Sequence, residues 1–210
     1  YDADGNIMRK LTSSLKSGYS SMSWDLAYLS SRGPKVPPGE YKVAIDKNIG
    51  GEFSRLLEPQ AFKVISIPNA LGTPNNLANF NFFREANTLN DKVNAARGKI
   101  TELNTRINNM KTILGNTPVE ANLLVKKMDE IQKEIDAVAK TIIGGFGAKN
   151  TVSSRLRYAL YTTFSAQVDI TGAQKQQFNL AKEAFTNAEP ELRTLFDVKL
   201  PALEKEFEAA

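Results

Sequence analysis

The chain has 210 residues, no cysteine, no histidine, and 27 basic against 23 acidic side chains, a formal net charge of +4. Those absences exclude disulfides, thiolate chemistry, the usual general base and the commonest zinc ligand. The basic surplus is scattered, with runs no longer than Arg9-Lys10 or Lys126-Lys127, so no nucleic-acid partner is expected; nothing approaches 18 consecutive apolar residues, so no membrane span is expected either.

Composition changes abruptly near residue 70. Most of the prolines and many glycines lie before it, among short β-branched and aromatic runs, and long periodic stretches follow. The expected division is a β-module over 1–70 and a helical region over 71–210. Between them Ile67-Pro68-Asn69-Ala70-Leu71-Gly72-Thr73-Pro74 reads as a linker ending in an N-cap Thr and a first-turn Pro. The chain opens at Tyr1, without an initiator Met, inside what reads as a strand and turn. It is therefore expected to be a piece of a longer protein.

The first part predicts antiparallel β-structure. Asp4-Gly5 is a hairpin turn, because Gly accepts the positive φ such turns need. Strands are expected at Ile7–Thr12 and Tyr19–Asp25. Tyr41, Val43 and Ile45 alternate with polar neighbours and predict a third strand with one buried face. Asn48-Ile49-Gly50-Gly51 turns the chain towards Phe53–Leu57, and a last strand, Ala61–Ile67, carries Phe62 and Val64 on one side. Five short strands fall below the seven or so of a complete sandwich, and the remainder is expected upstream of Tyr1.

Several stretches carry a resemblance: Tyr1-Asp2-Ala3-Asp4-Gly5-Asn6-Ile7-Met8-Arg9-Lys10-Leu11, then Trp24-Asp25-Leu26, then Val36-Pro37-Pro38-Gly39-Glu40-Tyr41. This pattern resembles the Ig-like module of the flagellar hook-capping protein, where a D-x-x-G-x-x-[VI]-R-x-L hairpin precedes W-D and a P-x-G-x-Y strand start. Where that family carries Gly soon after W-D, this chain has Leu26-Ala27-Tyr28. Joined to a helical tail, the module is similar to the C-terminal region of large bacterial proteins with sortilin-like, BNR-repeat β-propellers, often labelled glycosyl hydrolases. Ser154-Arg155-Leu156-Arg157-Tyr158, Thr171-Gly172-Ala173-Gln174 and Leu200-Pro201-Ala202-Leu203-Glu204 also resemble that tail. The resemblance implies an exported, periplasmic or extracellular bacterial protein whose upstream propeller is this region's partner.

Helices are expected from Pro74. Phe82, Ala86, Leu89, Val93, Ala96, Ile100, Leu103, Ile107, Met110 and Leu114 recur at fours and threes, one long helix with a single apolar seam. Some 41 residues span roughly 60 Å. Gly115-Asn116 should stop it in a left-handed conformation. Thr117-Pro118-Val119-Glu120 reads as a capping box opening a second helix with Leu124, Met128, Ile131, Ile135, Val138 and Ile142 inward. Gly144-Gly145-Phe146-Gly147 breaks it, and a third helix runs from about Thr151 to Ala166. Thr171 and Gln174 form a further capping box, opening a final helix to about Phe207 with kinks expected near Pro190 and Pro201. The lengths favour three columns built from four helices, in antiparallel order. The expected fold class is thus segregated α+β, an incomplete Ig-like β-sandwich module followed by a long helical bundle.

Trp24-Asp25 could offer a sugar platform, but a lone Trp in a short β-module is expected in its core, with the Asp capping a turn. Phe80, Phe82 and Phe83 crowd more faces than one seam can bury. They either clamp the helix base, with Phe82 in the bundle and the others against Val64 or Ile67, or, together with Tyr28, leave an exposed interaction patch of Phe80, Phe83 and Tyr28. Asn87, Asn90 and Asn94, and likewise Asn104 and Asn108, share faces that read as solvated. Gly144 to Thr151 lacks phosphate-loop spacing and reads as a joint. Asp and Glu lie mainly beside Lys or Arg at helical spacing, as in Asp129-Lys133, which leaves no carboxylate pair or metal cluster to assign. No catalytic, cofactor or metal residue is expected. A structural or docking role follows, with a protein partner or a homo-oligomer; the alternative is an accessory carbohydrate-binding module, which needs coplanar exposed aromatics such as Tyr28 with Tyr19 or Trp24.

Overall fold

A computed structural model describes residues 1–14, 18–31, 33–67, 76–116, 122–144, 148–161 and 169–209. The fold is mixed α+β, and the chain divides into two units, Tyr1–Arg84 with Thr162–Ile170 and Glu85–Tyr161 with Thr171–Ala210. The division falls inside a helix, whereas the sequence placed it at 70/71; residues 68–75 lie outside the described set.

The first unit is built on one hairpin. Strand β1 (Gly39–Ile49) pairs antiparallel with β2 (Glu52–Val64) in an open two-stranded sheet. Gly50 at φ 60° and Gly51 at φ 95° make the turn in the left-handed region, where a side chain would be strained, and Gly51 N–H donates to Asn48 Oδ1 at 3.0 Å. β2 has 13 residues against 11 in β1, and the surplus is absorbed where the register slips between Val43 and Ile45 and again between Ile45 and Asp46. Glu58 and Pro59 lie between the partners of Ile45 and Val43, so Pro59, with no N–H for a ladder, sits in a bulge. Hence Phe53–Leu57 and Ala61–Ile67, expected as separate strands, belong to one strand through Val64.

Ile7–Thr12 and Tyr19–Asp25 are corrections: neither is a strand. A strand needs a neighbour to take its backbone groups. Among the described residues no strand pairs with these segments: the Met8 carbonyl accepts from Leu29 N–H at 2.8 Å, the Asp25 carbonyl accepts from Lys35 Nζ at 2.6 Å, and isolated bridges at Asp2–Tyr41 and Ala27–Lys35 flank them. The Asp4-Gly5 turn does form, with Gly5 at φ 88° and Asn6 N–H donating to Asp2 Oδ1 at 2.7 Å. The core of the unit is Met8, Val36, Tyr41 and Phe80, with Trp24, Tyr28, Phe62 and Val64 packed against it.

Helix α1 (Asn76–Gly115) begins in the first unit and continues into the second. The seam is buried as the spacing predicts: Ala86, Leu89, Val93, Ala96, Ile100, Leu103, Ile107 and Met110 are inside, with Phe82 and Leu114 half-buried. α1 ends at Gly115, but without a left-handed residue there; Asn116 N–H instead donates to the Ile113 carbonyl at 3.1 Å, a tightened last turn. The Thr117–Glu120 capping box lies outside the described residues.

Helix α2 (Asn122–Ile142) buries Leu124, Met128, Ile135, Val138 and Ile142. Its stop is Gly144, at φ 69°, where a Cβ would sit 2.5 Å from the Ala148 Cβ; only glycine fits. Helix α3 (Val152–Tyr161) starts with reciprocal bonds, Ser154 N–H to Thr151 Oγ1 at 3.1 Å and Thr151 N–H to Ser154 Oγ at 2.9 Å. Its expected continuation to Ala166 passes out of the described residues. Helix α4 (Gly172–Thr194) opens with the predicted Thr171–Gln174 capping box and runs unbroken through Pro190. Before Pro201 the backbone widens into a π turn over Leu195–Lys199, with Leu200 N–H donating to the Leu195 carbonyl, and helix α5 (Leu200–Glu208) follows. Proline cannot donate to the carbonyl four residues back and its ring crowds that group, so an extra residue in the preceding turn accommodates it.

Pairs across the second unit come in a regular order. Lys111 near the end of α1 meets Asp129 near the start of α2 at 2.7 Å, Gln132 donates to Asn104 Oδ1 at 2.7 Å, and Arg97 donates to Ser153 of α3 at 3.3 Å. Lys182 of α4 meets Glu85 at 2.8 Å, and Glu204 of α5 meets Arg106 at 3.1 Å. Asn104, expected on a solvated face, is therefore a cross-helix partner. Asp129, expected beside Lys133, takes Lys111 as well, and the hydrogen bond from Lys111 is the main reason its carboxyl titrates below the ordinary range.

Candidate interaction surface

The aromatic cluster of the first unit decides three of the expected sites together. Trp24 meets Tyr41 and Phe62 edge-on, with interplanar angles of 68° and 88°, and its Nε1 donates to the Ala27 carbonyl at 3.0 Å. Asp25 Oδ1 accepts from Ala27 N–H at 3.1 Å, so Trp24-Asp25 is a core aromatic followed by a capped turn. Phe80 and Phe83 are only 5% and 4% exposed. Tyr28, half-buried, packs edge-on against both, its ring centroid 5.0 Å from that of Phe80 and 6.3 Å from that of Phe83. The patch expected at Phe80, Phe83 and Tyr28 is thus not an open one: these rings cover one another. Phe80 belongs to the cluster that includes Val64, whereas Ile67 is exposed. Trp24 and Tyr28 face their neighbours edge-on, and Tyr19 is 94% exposed, so the coplanar platform envisaged for a sugar is not assembled from these residues.

Tyr41 anchors the base of the hairpin. Its hydroxyl donates to the Pro37 carbonyl at 2.7 Å; burial, and then the nearby Asp2 carboxylate, push its phenol above the ordinary tyrosine value. Asp2 moves the other way. Burial raises it, but hydrogen bonds from the Asn6 side chain and backbone and from the Asp4 backbone outweigh that, helped by Arg84, and the carboxyl titrates below its usual range.

The sequence missed where the apolar surface is left open. Cross-strand partners share a face, so Tyr41–Phe62, Val43–Gln60, Ile45–Leu57 and Lys47–Ser54 lie on the side of the sheet that bears the core. Tyr41 is buried and Phe62 half-buried, yet Val43 and Ile45 are each 49% exposed and Leu57 39%. Ile49 lies further along the same face, also exposed. The expected strand with one buried face therefore buries that face only at its base. The alternation of Tyr41, Val43 and Ile45 was visible in sequence, but alternation does not say how far along a strand a covering layer extends. On the opposite face Phe53 is exposed beneath Lys10, whose Nζ is 5.1 Å from the ring centre, and a shallow open hollow is lined by Asp46, Phe53, Ser54, Arg55 and Glu58. Its charges engage one another, Asp46 with Arg55 and Arg55 with Glu58.

No group of three or more metal-ligating side chains is present among the described residues, and no helix there is long and apolar enough to cross a membrane. In comparisons with family models, curated proteins and solved structures, no match to this chain is found.

Proposed function

We propose that this chain is a non-catalytic interaction region, an Ig-like β-module of the hook-capping type carrying a helical bundle, at the C-terminal end of a larger exported β-propeller protein. The observation that carries this is the core-bearing face of the hairpin, where Val43, Ile45 and Leu57 stay exposed with no covering layer among the described residues. Apolar residues in strand alternation, contiguous with a packed core, are what a docking surface for another β-rich domain requires. The helices read as three columns: α1 in one direction, α2 and α3 back in line, and α4 with α5 in the first direction again. The order of cross-helix pairs from Lys111–Asp129 to Arg97–Ser153, and from Glu85–Lys182 to Arg106–Glu204, supports that arrangement. Buried seams of this kind hold the helices of the second unit together.

The test is backbone hydrogen exchange at residues 43–57, in this chain and in the longer polypeptide the reading requires. Exchange there should slow in the longer polypeptide, and the propeller should cross-link to Val43 or Ile45 replaced by a photoreactive residue. Equal exchange in both, with no cross-link, would remove the docking role.

A further inference from the structure

The basic surplus is concentrated in one stretch of the second unit. Residues 137–182 carry six lysines and arginines against one acidic residue, Asp169, a net charge of +5. The whole chain holds 27 basic and 23 acidic residues, so everything outside that stretch is net −1. The six cations are never adjacent, which hides them from a search for basic runs. Asp169 belongs to the first unit. In the second unit the stretch supplies the end of α2, all of α3 and the first half of α4, without a carboxylate. Residues 145–147 and 162–168, outside the described set, contain no Asp or Glu either.

Three arginines stand around α3. Arg97 of α1 donates to Ser153 Oγ at 3.3 Å, and Arg157 lies one turn on from Ser153, on the same side of the helix. On the other side Arg155 donates to Gln177 Oε1 of α4 at 2.7 Å and to the Asn150 carbonyl at 3.3 Å. Lys149 is exposed at the approach to α3. Among the described residues Arg97, Lys149, Arg155 and Arg157 form no ion pair, whereas Arg106, Lys111, Lys127, Lys182, Arg193 and Lys199 of the same unit each do. Neutral hydrogen bonds thus fix Arg97 and Arg155 without cancelling their charge.

We propose that the α3 surface formed by Arg97, Lys149, Arg155 and Arg157 binds an acidic stretch of a partner polypeptide. The guanidinium fork matches a carboxylate in shape as well as charge. Tyr158, 50% exposed beside Arg157, adds the kind of aromatic contact that protein interfaces favour. The ten residues of α3 extend about 15 Å, room for a few carboxylates but short of the six to ten phosphates a nucleic-acid duplex engages. A membrane surface asks for an apolar face beside the cations, and that of α3 (Val152, Leu156, Ala159, Leu160) is buried in the unit. A second copy of this chain is a poorer occupant. Its Glu189, Glu204 and Glu206 already hold Arg193, Arg106 and Lys127, and a contact between unlike patches does not close into a dimer.

The probe is an end-capped twelve-residue alanine peptide with glutamate at every third or fourth position. It is added to the whole 210-residue chain and followed by backbone and arginine side-chain NMR. Shifts should centre on residues 149–158 and the Arg97 guanidinium, with a Kd below about 1 mM at about 20 mM salt and at least about fivefold weaker at about 200 mM. Arg97→Gln with Arg157→Gln, both exposed, should weaken binding about fivefold or more. Lys126→Gln with Lys133→Gln removes the same charge from α2 and should change it by less than about twofold. Equal weakening by the two pairs would reduce the binding to net charge and overturn the inference. So would an absence of shifts at millimolar peptide, or equal binding of the peptide with glutamine in place of glutamate. Tighter binding of an oligothymidylate or of phosphatidylserine vesicles at this surface, or sedimentation showing that the chain associates with itself through it, would overturn it as well.

Discussion

Gln174 reaches from the first turn of α4 to α3: its Nε2 donates to the Ala159 carbonyl at 3.3 Å, while its Oε1 accepts from Thr171 N–H at 2.9 Å. One buried amide therefore closes a capping box and satisfies a carbonyl of the neighbouring helix. Gln174→Ala should cost about 1 kcal/mol or more, because it removes the side-chain half of the capping box and a buried cross-helix hydrogen bond. Gln174→Glu should retain the cap but place a carboxylate oxygen against the Ala159 carbonyl. Urea denaturation followed by far-UV circular dichroism measures both, and a change below about 0.5 kcal/mol for Gln174→Ala would contradict the assigned role.

Leu26 occupies the left-handed region at φ 59°, and Leu29 does so at φ 58°. A side chain there crowds its own backbone by about 1–2 kcal/mol. Leu26 follows directly on Trp24-Asp25. Leu26→Gly should therefore hold or raise the melting temperature of the first unit, despite deleting a partly exposed apolar side chain. A clear drop would mean that the leucine side chain contributes more packing than the strain it brings.

Ile107 is fully buried in the α1 seam, whereas Val198, in the π turn, is 61% exposed. Ile107→Ala should destabilise by about 2–5 kcal/mol through lost transfer energy and a residual cavity. Val198→Ala should stay within about 0.5 kcal/mol. Equal costs for the two would show that the seam is not packed.

Two titrations bear on the base of the hairpin. The Tyr41 phenol titrates above its ordinary 10.0 when folded, so its contribution is complete below pH 10.0 and is lost as pH rises through the folded value. The Asp2 carboxyl titrates below its ordinary 3.8, so its contribution is present above pH 3.8 and is lost as pH falls through the folded value. The single tryptophan, Trp24, packs against Tyr41 and reports on this unit by fluorescence. Urea midpoints measured from pH 2 to 12 should fall at both ends. Tyr41→Phe should flatten the alkaline fall; Asp2→Asn should flatten the acidic one and also lessen the alkaline one, because the Asp2 carboxylate helps to raise the Tyr41 phenol.

The helical elements were legible because their signals are local. The four-three spacing from Ala86 to Met110 states which face is buried, and the pairs Thr171–Gln174 and Asp4–Gly5 state where a helix or a turn begins. The π turn before Pro201 was announced as a kink, since a missing N–H is visible in sequence while the way a backbone absorbs it is not. The strands were less legible. Glu58-Pro59 reads as an interruption until a partner strand lets it bulge, and Ile7–Thr12 reads as a strand although no strand pairs with it among the described residues.

By itself the sequence determined the helix seams, the Thr171–Gln174 cap and the Gly144 stop, the change of character near residue 70, and the residue types that exclude histidine and cysteine chemistry. Those follow from dihedral preferences and periodicity, which act over a few residues. Only the tertiary structure decided that Phe80, Phe83 and Tyr28 cover one another, and that Val43, Ile45 and Leu57 are left open on the core-bearing face. Burial depends on what lies across a face, and that is set by residues distant in the chain.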